Sequence, residues 1–185
     1  GVQGLGVCTA VTVQHESEFV DVEWMHPERI FQQFNILVGK YDFKVVKIGL
    51  IQNFEVLEWL ISRMLEIRPE LKIVWDPILK ATAGFEFHGD AGAADIKKKR
   101  RFKGWLKTLH LITPNAEEAL KLTGTNTTKE AANTLSPLCS TWIKSAASTS
   151  KKIEDHLFID GKKQTLSSAT LDTEKHGTGC TLSAA

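Results

Sequence analysis

The chain has 185 residues, 42% of them hydrophobic and 24% charged, with 23 Lys and Arg against 22 Asp and Glu. Those figures fit one globular domain with a sizeable core. They exclude collagen-like, disordered and membrane-spanning classes, since no apolar run approaches the roughly 18 residues of a spanning helix. A formal charge of +1 argues against bulk binding to nucleic acid or an anionic membrane.

At the start, Gly1 to Gly6 shows no basic region followed by an apolar stretch, so no signal peptide is read there. Cys8, Cys139 and Cys180 are widely spaced and odd in number, which fits reduced thiols in a cytoplasmic protein. Residues 7–13 are rich in β-branched side chains and predict a first strand. From Pro27 to about Val38, the spacing of Ile30, Phe31, Phe34 and Leu37 predicts an amphipathic helix. Residues 44–48 form a second strand ending at Gly49. A helix capped by Asn53 follows, with Phe54, Leu57, Leu60, Ile61 and Met64 on its apolar face. Residues 71–75 form a third strand, stopped by Asp76-Pro77. The basic run 97–101 is read as a solvated helix face or loop rather than a nucleic-acid signal.

Residues 109–112 form a fourth strand, leading through Thr113-Pro114-Asn115 into a helix that ends near Leu122. Asn126-Thr127-Thr128 matches a glycosylation sequon, but Thr127 with Glu130 reads better as a capping box. Residues 145–152 are small and polar and predict an exposed loop. Residues 157–166 predict a hairpin, because Asp160-Gly161 suits a primed turn. Strands alternating with helices imply βαβ crossovers and a mostly parallel sheet, in which ligands bind at the strands' carboxyl ends. The loops to read first are therefore Gln14-His15, Gly49-Leu50, Asp76-Pro77 and Thr113-Pro114-Asn115. No repeat or linker divides the chain, so residues 1–185 are expected to form a single domain.

The most informative segment is His176-Gly177-Thr178-Gly179-Cys180-Thr181-Leu182-Ser183-Ala184-Ala185. Two glycines leading into a small apolar helix leave backbone N–H groups free to bind an anion, as a transferring phosphoryl group requires. A glycine-containing turn before a packed helix would give the same pattern. Cys180 falls in the same electropositive corner, where thiol pKa values drop. Asn115 and Glu118 share one helix face and offer oxygen ligands to a nucleotide's Mg²⁺, or else serve as an N-cap with an acidic first turn. Asp76 supplies a second metal-facing carboxylate or starts a turn. Gln14 offers both a donor and an acceptor to a heterocycle, or caps its strand. The three-glycine dinucleotide fingerprint, the Walker A sequence and paired His or Cys metal motifs are absent from the sequence.

Taken in order, Thr12-Val13-Gln14, Val46-Lys47-Ile48-Gly49, Asp76-Pro77-Ile78, the segment from Leu111 to Ala119 and the segment from His176 to Ala185 resemble one known family. This is the hydroxymethylpyrimidine/phosphomethylpyrimidine kinases of thiamine biosynthesis, within the ribokinase-like superfamily. The resemblance runs from Gly1 to Ala185 and weakens near 86–106 and 135–155. It implies a three-layer α/β/α fold with a mostly parallel central sheet. It also implies Mg-ATP-dependent phosphorylation of 4-amino-5-hydroxymethyl-2-methylpyrimidine and then of its monophosphate.

On that resemblance, Cys180 is the base that takes the hydroxymethyl proton, and Gly177, Thr178 and Gly179 form the anion hole. Asp76, Asn115, Lys144 and His176 face ATP, while Asn115, Glu118 and Asp76 organise Mg²⁺. Gln14, Val13, Gly49 and Leu50 surround the pyrimidine. Family members are expected to be cytoplasmic homodimers without nucleic-acid or membrane partners. The chain departs from the family in lacking elements expected before Gly1 and after Ala185. It also has Lys144-Ser145-Ala146 where Lys-Gly-Gly-His is usual, and Leu50 where Met is common. Two rival readings are a pyridoxal or pyridoxine kinase on the same fold and a non-catalytic relative that binds pyrimidine or nucleotide.

Overall fold

The computed structural model describes residues 4–15, 18–80, 87, 100–149 and 152–169. Six strands form its main sheet in sequential order: β3 (Val45–Ile48), β4 (Lys72–Trp75), β5 (Leu111–Ile112), β6 (Ser140–Ser148), β7 (Lys152–Ile159) and β8 (Lys162–Ala169). β3 to β6 run parallel, and β6, β7 and β8 then pair antiparallel. The expected βαβ pattern is therefore present at the centre, where helical crossovers bring each strand back in the same direction.

The first helices form where the apolar spacing places them. α1 (Pro27–Lys40) opens with proline, whose missing N–H costs nothing in a first turn. α2 (Phe54–Ile67) is capped by Asn53, whose side-chain oxygen accepts the Val56 N–H at 2.9 Å. Ile30 and Phe34 of α1 meet Leu57, Leu60, Ile61 and Met64 of α2 in one core with Ile73 and Trp75 of β4. α3 (Arg100–Leu106) adds Trp105, whose ring lies 5.3 Å from that of Trp75. Complete burial of each aliphatic side chain in this core contributes about 1.5–3 kcal/mol.

α4 (Ala116–Thr123) and α5 (Thr128–Leu135) pack on each other and on β6. Small side chains allow that approach: Ala119, Ala131 and Ala132 are buried with Ile143 and Ala146. Thr127 caps α5 by accepting the Glu130 N–H, while the Glu130 carboxylate accepts from the Asn126 N–H instead of completing the box on Thr127. The β7–β8 hairpin forms at Asp160-Gly161, both with positive φ (50° and 73°), as a primed turn requires.

Two expectations are overturned. β1 (Ala10–His15) does not join the parallel sheet but pairs antiparallel with β2 (Glu18–Trp24) in a separate two-stranded sheet. Its partner was concealed by the carboxylates of Glu18, Asp21 and Glu23, which interrupt the apolar pattern of Phe19, Val22 and Trp24. The loop expected over 145–152 is also largely absent, because β6 runs through Ser148. Its polar, small-residue stretch is a bulged strand rather than a loop.

Candidate active site

The carboxyl ends of the parallel strands gather the site. Asp76 directly follows β4, and its N–H continues the ladder by donating to the Ile48 carbonyl at 2.8 Å. Pro77 then cannot extend the strand. Asp76 is only 1% exposed, so its charge must be met within the protein. Lys144 Nζ lies 2.7 Å from Oδ1, the Thr113 hydroxyl donates to the same oxygen at 3.2 Å, and Lys47 Nζ stands 3.2 Å from Oδ2. Each partner comes from a different strand or strand end: β3, β5 and β6.

The next corner is the start of α4. Asn115 accepts the Glu118 N–H and Glu118 accepts the Asn115 N–H, both at 2.8 Å, forming a full capping box. Burial pushes the Glu118 carboxyl up to about 7, with the Asp76 charge adding to the rise. The N–H groups of Asn115 and Leu79 and the Lys144 ammonium pull the other way. Two ammonium groups thus face one ionised carboxylate and a second carboxyl that is partly protonated near neutrality. Among the described residues, this cluster therefore lies between neutral and singly positive, which suits a ligand bearing phosphate oxygens.

Gly49 and Leu50 border the same strand ends. A Cβ on Gly49 would lie 3.5 Å from Ile78, just beyond Asp76-Pro77. The Thr9 hydroxyl donates to the Leu50 carbonyl at 2.7 Å and ties the root of β1 to this turn. Val13 and Gln14 stand farther out on β1, at its bulge. Both are exposed, and the Gln14 amide donates to the Thr12 hydroxyl at 3.1 Å. Asp76, Asn115, Glu118 and Lys144 are therefore brought together, Gly49 and Leu50 lie alongside, and Val13 and Gln14 occupy the neighbouring hairpin. His176, Gly177, Thr178, Gly179 and Cys180 lie outside the described residues.

Lys47 and Thr113 were not singled out from the sequence, although both stand in the segments that carry the resemblance. The signal for Lys47 was available: a lone charge within the apolar strand Val45-Val46-Lys47-Ile48 needs a partner when the strand is buried. Thr113 stood in the strand-end loop Thr113-Pro114-Asn115, but nothing in the sequence gave its hydroxyl a partner. Of the two described cysteines, Cys8 is exposed, and burial pushes the Cys139 thiol up to about 12, leaving it inert at neutral pH.

The chain thus has an α/β core with a parallel central run of strands, and ammonium and carboxylate groups meet at the strand ends. Its fold is similar to that of phosphomethylpyrimidine kinase from Clostridium difficile, with a TM-score of 0.69 and 22% identity, covering 89% of this chain and 71% of that one. The Staphylococcus aureus pyridoxal kinase, solved with AMP-PCP, is similar at a TM-score of 0.73 and 20% identity, covering 96% and 66%. These likenesses establish the fold.

The chain belongs to the phosphomethylpyrimidine kinase family, whose sequence pattern matches residues 1–185. It is 30% identical to the hydroxymethylpyrimidine/phosphomethylpyrimidine kinase of Rhizobium meliloti, over all of this chain and 70% of that protein. It is 27% identical to the chloroplastic thiamine biosynthetic bifunctional enzyme of Arabidopsis thaliana, over 98% of this chain but only 36% of that longer protein.

Proposed function

We propose that this chain transfers the γ-phosphoryl group of Mg-ATP to 4-amino-5-hydroxymethyl-2-methylpyrimidine and then to its monophosphate, in thiamine diphosphate biosynthesis. The observation that carries this reading is the buried Asp76 carboxylate held between Lys47 and Lys144, beside the high-pKa Glu118. Family membership supports it, and so does the kinase activity named for the Rhizobium meliloti relative.

The donors present fit Mg²⁺ arriving with a nucleotide. That ion keeps several waters and binds through one or two carboxylates together with substrate phosphates, rather than in an all-protein cage. Asp76 and Glu118 supply those carboxylates, and among the described residues no cluster of three or more His, Cys, Asp or Glu could hold a metal. Asn115 acts through its cap, fixing Glu118 by the paired bonds of the helix start. Bound there, Mg²⁺ would neutralise charge on the phosphate oxygens.

Lys144 and Lys47 then share their donors between Asp76 and the phosphates. Positioning and electrostatics are the protein's main contributions to phosphoryl transfer. We assign Cys180 as the base that takes the hydroxymethyl proton, and Gly177, Thr178 and Gly179 as the anion hole for charge developing on the transferred group. His176 is assigned to the nucleotide. Gln14 is assigned to the aminopyrimidine edge, with Val13, Gly49 and Leu50 beside the ring. Free Cys8 and Cys139 support a cytoplasmic setting. We also propose a homodimer, which light scattering of the purified 20.6 kDa chain would report as twice that mass.

The test is coupled ADP release with Mg-ATP, offering hydroxymethylpyrimidine and pyridoxal in parallel. Faster turnover of the pyrimidine supports the proposal, whereas preference for pyridoxal overturns the substrate assignment. Cys180→Ala is expected to abolish turnover while sparing ATP binding, and unchanged turnover would remove Cys180 as the base.

A further inference from the structure

Lys144 opens a bulge in β6 that is unlike the rest of the sheet. The β6–β7 ladder pairs Ile143 with His156 and resumes at Ala147 with Glu154. Lys144, Ser145 and Ala146 therefore stand opposite Asp155 alone. Such a bulge interrupts the ladder and re-aims the side chains within it. Here the Asp155 side chain accepts bonds in place of the interrupted ladder. One carboxylate oxygen accepts the Ser145 N–H at 2.8 Å, and the other accepts the Trp142 indole N–H at 3.1 Å.

We propose that Asp155 is a positioning residue for Lys144, its carboxylate holding the bulge from which that lysine reaches the phosphate site. On the β5 side, the Lys144 N–H donates to the Pro114 carbonyl at 2.8 Å, and Lys144 pairs in parallel with Asn115. On the β7 side, Asp155 grips the residue that follows. The backbone at Lys144 is thus held from both neighbours while its ammonium meets Asp76. Ser145 has a φ of 50°, a left-handed conformation in which the Cβ of a side-chain-bearing residue is crowded. The bulge therefore needs an external hold, and a charge-assisted bond to its N–H supplies one. Without it, β6 would relax toward regular pairing, and a slip of one residue turns a strand's side chains to the opposite face.

The inference rests on the kinase reading for its functional meaning, so one of its readouts is independent of activity. Amine acetylation of the full chain, followed by mass spectrometry, measures access to Lys144, whose side chain is 11% exposed. Asp155→Ala is expected to acetylate Lys144 about 10-fold faster than wild type, in keeping with the loss of a charge-assisted hydrogen bond. Asp155→Asn keeps an oxygen for the Ser145 N–H but loses the charge and turns its amide NH2 toward the Trp142 indole, so it should recover only part of the protection. Kinetically, Asp155→Ala should lower kcat/KM for Mg-ATP by about 10-fold while KM for the pyrimidine alcohol stays within about twofold. Adding Lys144→Met should then bring little further loss beyond that of Lys144→Met alone.

Unchanged acetylation of Lys144 in Asp155→Ala would overturn the proposal, as would equal damage in Asp155→Asn or additive losses in the double variant. If Asp155→Ala does not fold, Trp142→Phe removes only the indole donor to the same carboxylate. It should shift acetylation in the same direction by about threefold, a smaller loss because the bond is neutral on one side. No shift in Trp142→Phe would then count against the clamp. Absence of wild-type turnover would overturn the kinase reading, while the acetylation result would still decide the clamp.

Discussion

Ser145 shows how one residue carries both local strain and a functional neighbour. Its φ of 50° is a conformation that glycine adopts without the Cβ clash. Ser145→Gly is therefore expected to raise stability by up to about 1 kcal/mol, read as a higher urea midpoint. A lowered midpoint would contradict the strain. Ala146, by contrast, turns inward against Ala119, Ala131, Ala132 and Ile143, so its methyl group packs in the core. The resemblance implied only a departure at both positions, because a positive φ and an inward methyl are properties of the bulge.

Glu118 provides a pH test at the same scale. Its carboxyl titrates near 7 in the folded chain against an ordinary value of 4.5. Between those values the folded state holds a proton that the unfolded state has released. The resulting stability is full below about 4.5 and is lost as pH rises through about 7. The metal-free chain should thus lose about 2–3 kcal/mol between pH 4.5 and pH 8 through this group. Glu118→Gln, which can still complete the helix cap, should flatten that part of the profile in urea unfolding. An equally steep profile in the variant would assign the slope to other groups. Asn115 and Glu118 were legible in the sequence as a pair, and the structure gives them a reciprocal cap.

Elements with strong periodicity or clear caps formed as expected. α1 and α2 follow their apolar stripes, and Asn53, Asn115 and Thr127 all cap helices. β6 was illegible because its bulge breaks the alternation that marks a strand, and its Ser and Ala residues mimic a loop. β1 was legible as a strand but not as part of a separate hairpin. Pairing partners are decided by tertiary context, which a strand's own composition does not encode.

Arg68 joins two of these elements at the end of α2. Its guanidinium donates to the carbonyls of Val38, Tyr41 and Phe43 and pairs with Asp42 at 2.8 Å. It thereby satisfies carbonyls at the end of α1 and in the turn leading to β3, groups that a helix terminus leaves without intrahelical partners. Arg68→Ala should cost about 2–3 kcal/mol in thermal or urea unfolding, a sum of bonds to a charged donor. Arg68→Lys should recover only part of this, because an ammonium lacks the planar fork. Full recovery by lysine would show that charge alone matters there.

Across the whole molecule, the order of parallel strands brings residues distant in sequence to one sheet end. Lys47, Asp76, Thr113 and Lys144 lie on separate segments and meet only when β3 to β6 align. Their motifs were readable, but Lys47 and Thr113 gained a place in the site only through strand order. The near-zero net charge conceals this arrangement, since a whole-chain sum cannot show two ammonium groups gathered around one buried carboxylate.

The direct test of that cluster is Mg-ATP-dependent ADP release with hydroxymethylpyrimidine, comparing the wild-type chain with Lys144→Met. Wild type should turn over, and the variant should lose about 10²-fold or more in kcat/KM for Mg-ATP, the scale of removing a charge-stabilising donor. A folded variant with wild-type kinetics would contradict the assignment of the strand-end cluster as the phosphoryl-transfer site.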